Sequence, residues 1–289
     1  MPDVFQPAAT GIALGAMYAL CGVAFVLVHN VTGVINFATG EYVMIGAMAS
    51  TTAVAAGWPM PAVFAVATAT AAAVGALAER LTIRPLRGAT VLTLILVTIG
   101  VSIALQGLAL VAWGVNPRRY APFTAGPPLR LGDVTISRQS VWVLALTVVA
   151  ALVLWAFFRT TVGKAMRACE MNPEAARLQG ISPSRMSLYA FTIAAAIAGA
   201  AGMVFVPATS ASYSMGLPLA LKGFIAAVIG GLVSPPGAIA GGLLLGVAEA
   251  YAARYLSSGL KDAIAFALLF LVIVVRPRGL LAAGHAARV

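Results

Sequence analysis

A chain of 289 residues that is 61% hydrophobic and 9% charged is too apolar for a soluble fold, where about a quarter of residues are charged. Its formal net charge of +10 comes from basic residues set between apolar runs, not clustered with aromatics, which sets aside nucleic acid as a partner. The apolar runs suit helices that cross hydrocarbon, about 20 residues each, and are too long and too rich in Ala, Leu and Gly for membrane β-strands. The expected fold is therefore all-α, a polytopic transmembrane bundle of eight or nine segments, some short or re-entrant.

In chain order the runs fall at 8–28, 34–57, 60–79, 89–114, 139–158, 186–207, 219–233, 236–256 and 261–276. An acid at Asp3 stands where a secretory leader would be basic, so the first run is expected to stay as a span. Residues 219–233 are short for a crossing, and Ser234-Pro235-Pro236-Gly237 interrupts the backbone just after them. A break at membrane depth is tolerated only where protein or a cavity covers the free backbone groups. Residues 219–256 thus read as two spans, or as one span and a re-entrant piece. Gly11 and Gly15, Gly237 and Gly241, and Gly242 and Gly246 are each four apart, a spacing that lets another helix backbone approach. Cys21 lies in an apolar run and Cys169 in a polar insert, so no disulfide is expected.

Two basic loops flank the 139–158 run and must face opposite sides. Arg118, Arg119, Arg130 and Arg138 precede it, and the insert 159–185 follows it. Parity places Arg80, Arg84, Arg87, Arg276, Arg278 and Arg288 with the insert, giving that side eleven basic residues. The other side holds six, counting Arg254 and Lys261. The positive-inside rule then predicts a cytoplasmic insert and C-terminus, with the N-terminus outside.

Within the insert, Asn172-Pro173-Glu174 has the form of a helix start. Asn accepts from free N–H groups, Pro fits the first helical position, and Glu suits the positive end of the dipole. Gly180 with Ser182-Pro183 predicts the stop, leaving a two-turn helix from Pro173 to Gln179. So short a helix is marginal alone in water, so it needs a partner surface on its own bundle or another subunit. The plainer alternative is a solvated loop with one capped turn.

Glu174-Ala175-Ala176-Arg177-Leu178-Gln179-Gly180 resembles the EAA-x-x-x-G core of the cytoplasmic loop in ABC-importer permeases. Gly33-Val34-Ile35-Asn36-Phe37-Ala38-Thr39-Gly40-Glu41, the stretch from Lys222 to Gly231 followed by Pro236-Gly237-Ala238, Gly246 to Ala250, and Lys261-Asp262 narrow the match. Together they resemble the permeases of branched-chain amino acid importers and their relatives for urea and short amides, along essentially the whole chain. The resemblance implies a bacterial inner-membrane permease, one domain over 1–289 with a coupling loop at about 159–185. It implies that Asn172, Pro173, Glu174, Ala175, Ala176 and Gly180 dock in a separate ATP-binding subunit. It also implies a second, homologous permease subunit, an extracytoplasmic solute-binding protein and a surround of membrane lipid. Thr39 stands where relatives often have His, and no leucine-proline follows the loop.

The chain itself holds no phosphate loop: its three lysines precede Ala165, Gly223 and Asp262, not Ser or Thr. His29 and His285 are far apart, so no metal site is expected, and no nucleophile–base pair points to an enzyme or a cofactor. Glu41, Lys222 and Glu249 lie in or beside apolar runs, where a charge costs a few kcal/mol and seeks a partner. Lys222 is expected to pair with Glu41 or Glu249, either as a structural clamp or, with Asn36 and Thr39, along a translocation path. An ion-coupled secondary transporter would show the same broken segments and buried charges, without a docking helix.

Overall fold

The computed structural model describes residues 2–86, 88–132 and 134–281. Arg87, His285 and Arg288 lie outside them. Each of the nine apolar runs contains a helix: α1 (Pro2–Thr32), α2 (Thr39–Ala55), α3 (Met60–Ala78), α4 (Val91–Trp113), α5 (Arg138–Phe157), α8 (Pro183–Phe205), α9 (Gly216–Gly230), α10 (Pro235–Tyr255) and α11 (Lys261–Val275). Between α5 and α8 the insert forms α6 (Thr161–Met171) and α7 (Pro173–Leu178). A short antiparallel hairpin, β1 (Leu129–Leu131) and β2 (Val134–Ile136), precedes α5. Among the described residues six helices are long and apolar enough to cross a membrane; α2, α9 and α11 are shorter.

Cross-links fix the two ends of the bundle. At one end Gln6 and Thr135 exchange hydrogen bonds of 2.8 and 2.7 Å, joining the start of α1 to β2. At the other, Asn30 donates to the Val233 carbonyl at 3.0 Å and Ser187 donates to Glu79 at 2.9 Å. This second end, called the insert end below, also carries α6, α7 and the chain after α11, whose Leu280 N–H bonds the Ile229 carbonyl closing α9. Among the described residues, the basic groups assigned to opposite sides by parity lie at opposite ends.

The helices differ sharply in burial. The most apolar stretch of α1 is 83% buried, whereas those of α4 and α5 are 17% buried. A helix apolar all round and buried all round is the axis of its bundle, and one apolar but uncovered faces lipid or another membrane chain. Small residues let α1 serve as that axis. Gly11 and Gly15 rest directly on the backbone of α10 at Gly242–Val247, and Gly242 and Gly246 rest on α1 in return. A Cβ on Gly246 would collide with the backbone of Gly15, so Gly246→Val should cost about 1–3 kcal/mol or more. Thermal unfolding in detergent checks this: the midpoint should fall for Gly246→Val and hold for Gly100→Val, whose side chain would meet open space.

Residues 219–256 form two antiparallel helices joined by a turn at 231–234. The run 34–57 is helical only from Thr39. Residues 33–38 leave α1 at Gly33 with φ 69° and turn back into the bundle, where Phe37 packs between Phe25 and Phe224. Asn36 holds this turn, its side-chain oxygen accepting from Ala38 N–H at 3.1 Å while its carbonyl accepts from the Thr39 hydroxyl at 2.7 Å.

Candidate functional site: a capped insert and an intramembrane charge cluster

In the insert, α6 is amphipathic. Gly163, Met166 and Cys169, three residues apart, face inward, and Thr160 accepts from Gly163 N–H at its start. Burial pushes the Cys169 thiol above the ordinary cysteine range, with the charge of Arg177 working in the opposite direction. A raised value keeps the thiol protonated at neutral pH, and the thiolate is the reactive form. Maleimide labelling of Cys169 at pH 7 should therefore be slow in the folded protein and fast once it is denatured. Rapid native labelling would contradict this placement.

The next helix begins as its sequence predicts. Asn172 Oδ1 accepts from the N–H groups of Glu174 and Ala175, both at 3.0 Å, and Pro173 occupies the first turn. Its regular part ends at Leu178. Gly180 follows with φ 78°, and Ile181 N–H returns to the Ala176 carbonyl at 3.0 Å, closing the end. Ala176 is only 4% exposed and belongs to the main apolar core, so it seats α7 on its own chain. Glu174 and Ala175 point outward. So do two apolar side chains that motif reading passed over, Met171 at 81% and Leu178 at 88% exposure. Their signal was in the sequence: large apolar residues seven apart in an otherwise polar segment.

Inside the bundle Lys222 meets Glu249, with Nζ 2.9 Å from Oε1. Tyr18 donates its hydroxyl to Glu249 Oε2 at 2.8 Å, and Asp262 lies 3.2 Å from the same ammonium. The cluster thus joins α1, α9, α10 and α11. The alternative pairing of Lys222 with Glu41 is not found. Glu41 abuts Gly216 at the start of α9 and accepts from Ser102 of α4 at 2.9 Å. Gly216 and Lys222 are six residues apart, about 240° around the helix, so α9 presents them to different neighbours. Asn36 and Thr39 stay with Glu41, and Asn36 also donates to the Tyr42 hydroxyl at 3.4 Å. Asn36, Thr39, Glu41 and Glu249 are all buried. Tyr18 and Ser102 were not singled out from sequence, and Asp262 stood only as part of the Lys261-Asp262 motif, because each gains its role from the helix facing it.

Comparison with known proteins agrees with this architecture. The family model described as branched-chain amino acid transport system / permease component matches residues 8–273. The chain belongs to this family. It is 36% identical to the high-affinity branched-chain amino acid transport system permease protein LivH of Escherichia coli, over 94% of this chain and 93% of that one. It is 32% identical to the corresponding protein BraD of Pseudomonas aeruginosa, over 97% of each. Similarity also reaches LivM of Salmonella typhimurium, at 31% identity over 48% of this chain and 32% of LivM. A solved structure, PsaBC from Streptococcus pneumoniae in complex with Fab, superposes with TM-score 0.53 over 96% of this chain and 92% of that one. At 12% identity it speaks for the fold alone. As a member of the permease family with six helices fit to cross a bilayer, this is a multi-pass inner-membrane protein.

Proposed function

We propose that the chain is the permease subunit of an ATP-driven importer of branched-chain amino acids. As one permease domain over 1–289, it forms the solute path by alternating access. The observation that carries this reading is α7, capped at both ends, seated by Ala176 and offering Leu178 outward beside Met171. A short rigid helix with an exposed apolar face transmits force only to something that binds it, and the chain has no phosphate loop of its own. The partner is a separate ATP-binding subunit in the cytoplasm, which places the insert and the C-terminus inside and the N-terminus outside. A homologous permease subunit completes the path, and an extracytoplasmic solute-binding protein delivers cargo to the hairpin end.

The path runs beside the starts of α2 and α9. There Asn36, Thr39 and Glu41 gather hydrogen-bonding groups within the bundle, and Lys222 with Glu249 braces the helices that move. Proteoliposomes holding the assembled importer test both parts. Leucine accumulation should require ATP hydrolysis and survive collapse of ion gradients. Asn36→Ala should lower uptake while assembly is retained. Uptake driven by an ion gradient without ATP would overturn the reading, and normal uptake by Asn36→Ala would remove this residue from the path.

A further inference from the structure

A cavity of about 820 Å³ opens at the insert end beside α1, between α5 and α6 on one side and the α9–α10 turn with the chain after α11 on the other. Small-molecule sites run to about 300–1,000 Å³, so the space is ample for a ligand. Its depth is apolar, with Val23, Leu154 and Ile239. Its rim is basic, with Arg167 from α6 and Arg278 from beyond α11. Trp155 also lines it, half-exposed on α5 with the Arg159 guanidinium 3.6 Å over its ring, and Arg167 stands 4.9 Å from the Phe158 ring. Tryptophan at the end of a membrane helix marks the headgroup layer, where cavities between helices with basic rims suit lipid headgroups.

We propose that this cavity holds one anionic phospholipid, with its phosphodiester between Arg167 and Arg278 and its acyl chains leaving along α5. Guanidinium groups pair with phosphate oxygens through charge-assisted, often forked hydrogen bonds. Glu170, the one acid among the described lining residues, is already engaged in an interaction of its own. Val148 and Leu152, both exposed on α5, offer the chains an apolar track into the bilayer. The lipid then bridges α6, the root of the insert, to the α9–α10 turn. That turn adjoins Ile229 and Gly230, where Leu280 and Leu281 are anchored. Bound lipid would fix the angle at which the insert leaves the membrane.

The full chain in phosphatidylcholine nanodiscs containing a small fraction of photoactivatable phosphatidylglycerol tests this. Labelling should map to peptides around Ala151–Met171 and Leu232–Ile239 and exceed that by photoactivatable phosphatidylcholine. The preference should fall about fivefold for each arginine changed in Arg167→Gln and Arg278→Gln. Ala151→Trp, which keeps both arginines and narrows the cavity, should also reduce labelling. Equal labelling by the two lipids, or an unchanged preference in the double arginine variant, would overturn the proposal. So would loss of labelling when the ATP-binding subunits are added, since a protein would then occupy the cavity.

Discussion

Leu178→Asp should abolish ATP-driven uptake while leaving the permease folded and in the membrane. The side chain is almost fully exposed and at the end of α7, so its replacement disturbs little within the chain. In a docked complex it would be covered, and burying a leucine contributes about 1.5–3 kcal/mol. Losing that, and placing a carboxylate in the contact, should weaken attachment of the ATP-binding subunit at least about tenfold to a hundredfold. Met171→Asp should act in the same direction. Ala176→Leu makes a contrasting case, because Ala176 is buried in its own core and crowding it should lower the stability of the permease itself. The assay is uptake in proteoliposomes alongside co-purification of the ATP-binding subunit and a thermal melt. Full uptake by Leu178→Asp would contradict the docking role.

The second large effect concerns the intramembrane ion pair. Among the described residues, Lys222→Met leaves Glu249 buried with only the Tyr18 hydroxyl and no cation at hand. Breaking a buried pair on one side costs about 3–5 kcal/mol, because the remaining charge is uncompensated. The same source of cost predicts relief when the second charge is also removed. Lys222→Met combined with Glu249→Gln should recover most of the lost stability, since a neutral amide can still accept from Tyr18. Unfolding in detergent and the yield of membrane-inserted protein measure both variants. If the double variant is as unstable as the single, Lys222 does not serve chiefly to neutralise Glu249. If stability recovers while uptake does not, the pair belongs to the moving parts of the transporter.

Local chemistry is legible in the sequence. Asn172, Pro173 and Gly180 each carry a backbone preference that acts within a few residues, so the limits of α7 followed from sequence to within one residue. The glycine pairs on α1 and α10 were equally legible, because a four-residue spacing already puts them on one face. Which partner each would meet was not. Lys222 had two carboxylates to choose from, and the choice depends on the phase of α9 between its neighbours. The late start of α2 escaped because residues 34–38 are apolar enough to continue a hydropathy run, while the turn that interrupts it is held by the Asn36 side chain. The amphipathic α6 and the hairpin at 129–136 were passed over for similar reasons, being short segments in a polar setting. Leu178 shows the commonest gap. Its neighbours matched a motif, but only the fold shows that Ala176 turns inward and Leu178 outward.

Site-specific photocrosslinking from position 178 in intact cells tests the central claim most directly. A photoreactive residue replacing Leu178 should trap the ATP-binding subunit, with a yield that changes when ATP hydrolysis is blocked. The same probe should not reach the solute-binding protein. Crosslinks to an extracytoplasmic protein, or none to an ATP-binding subunit while uptake continues, would contradict the account.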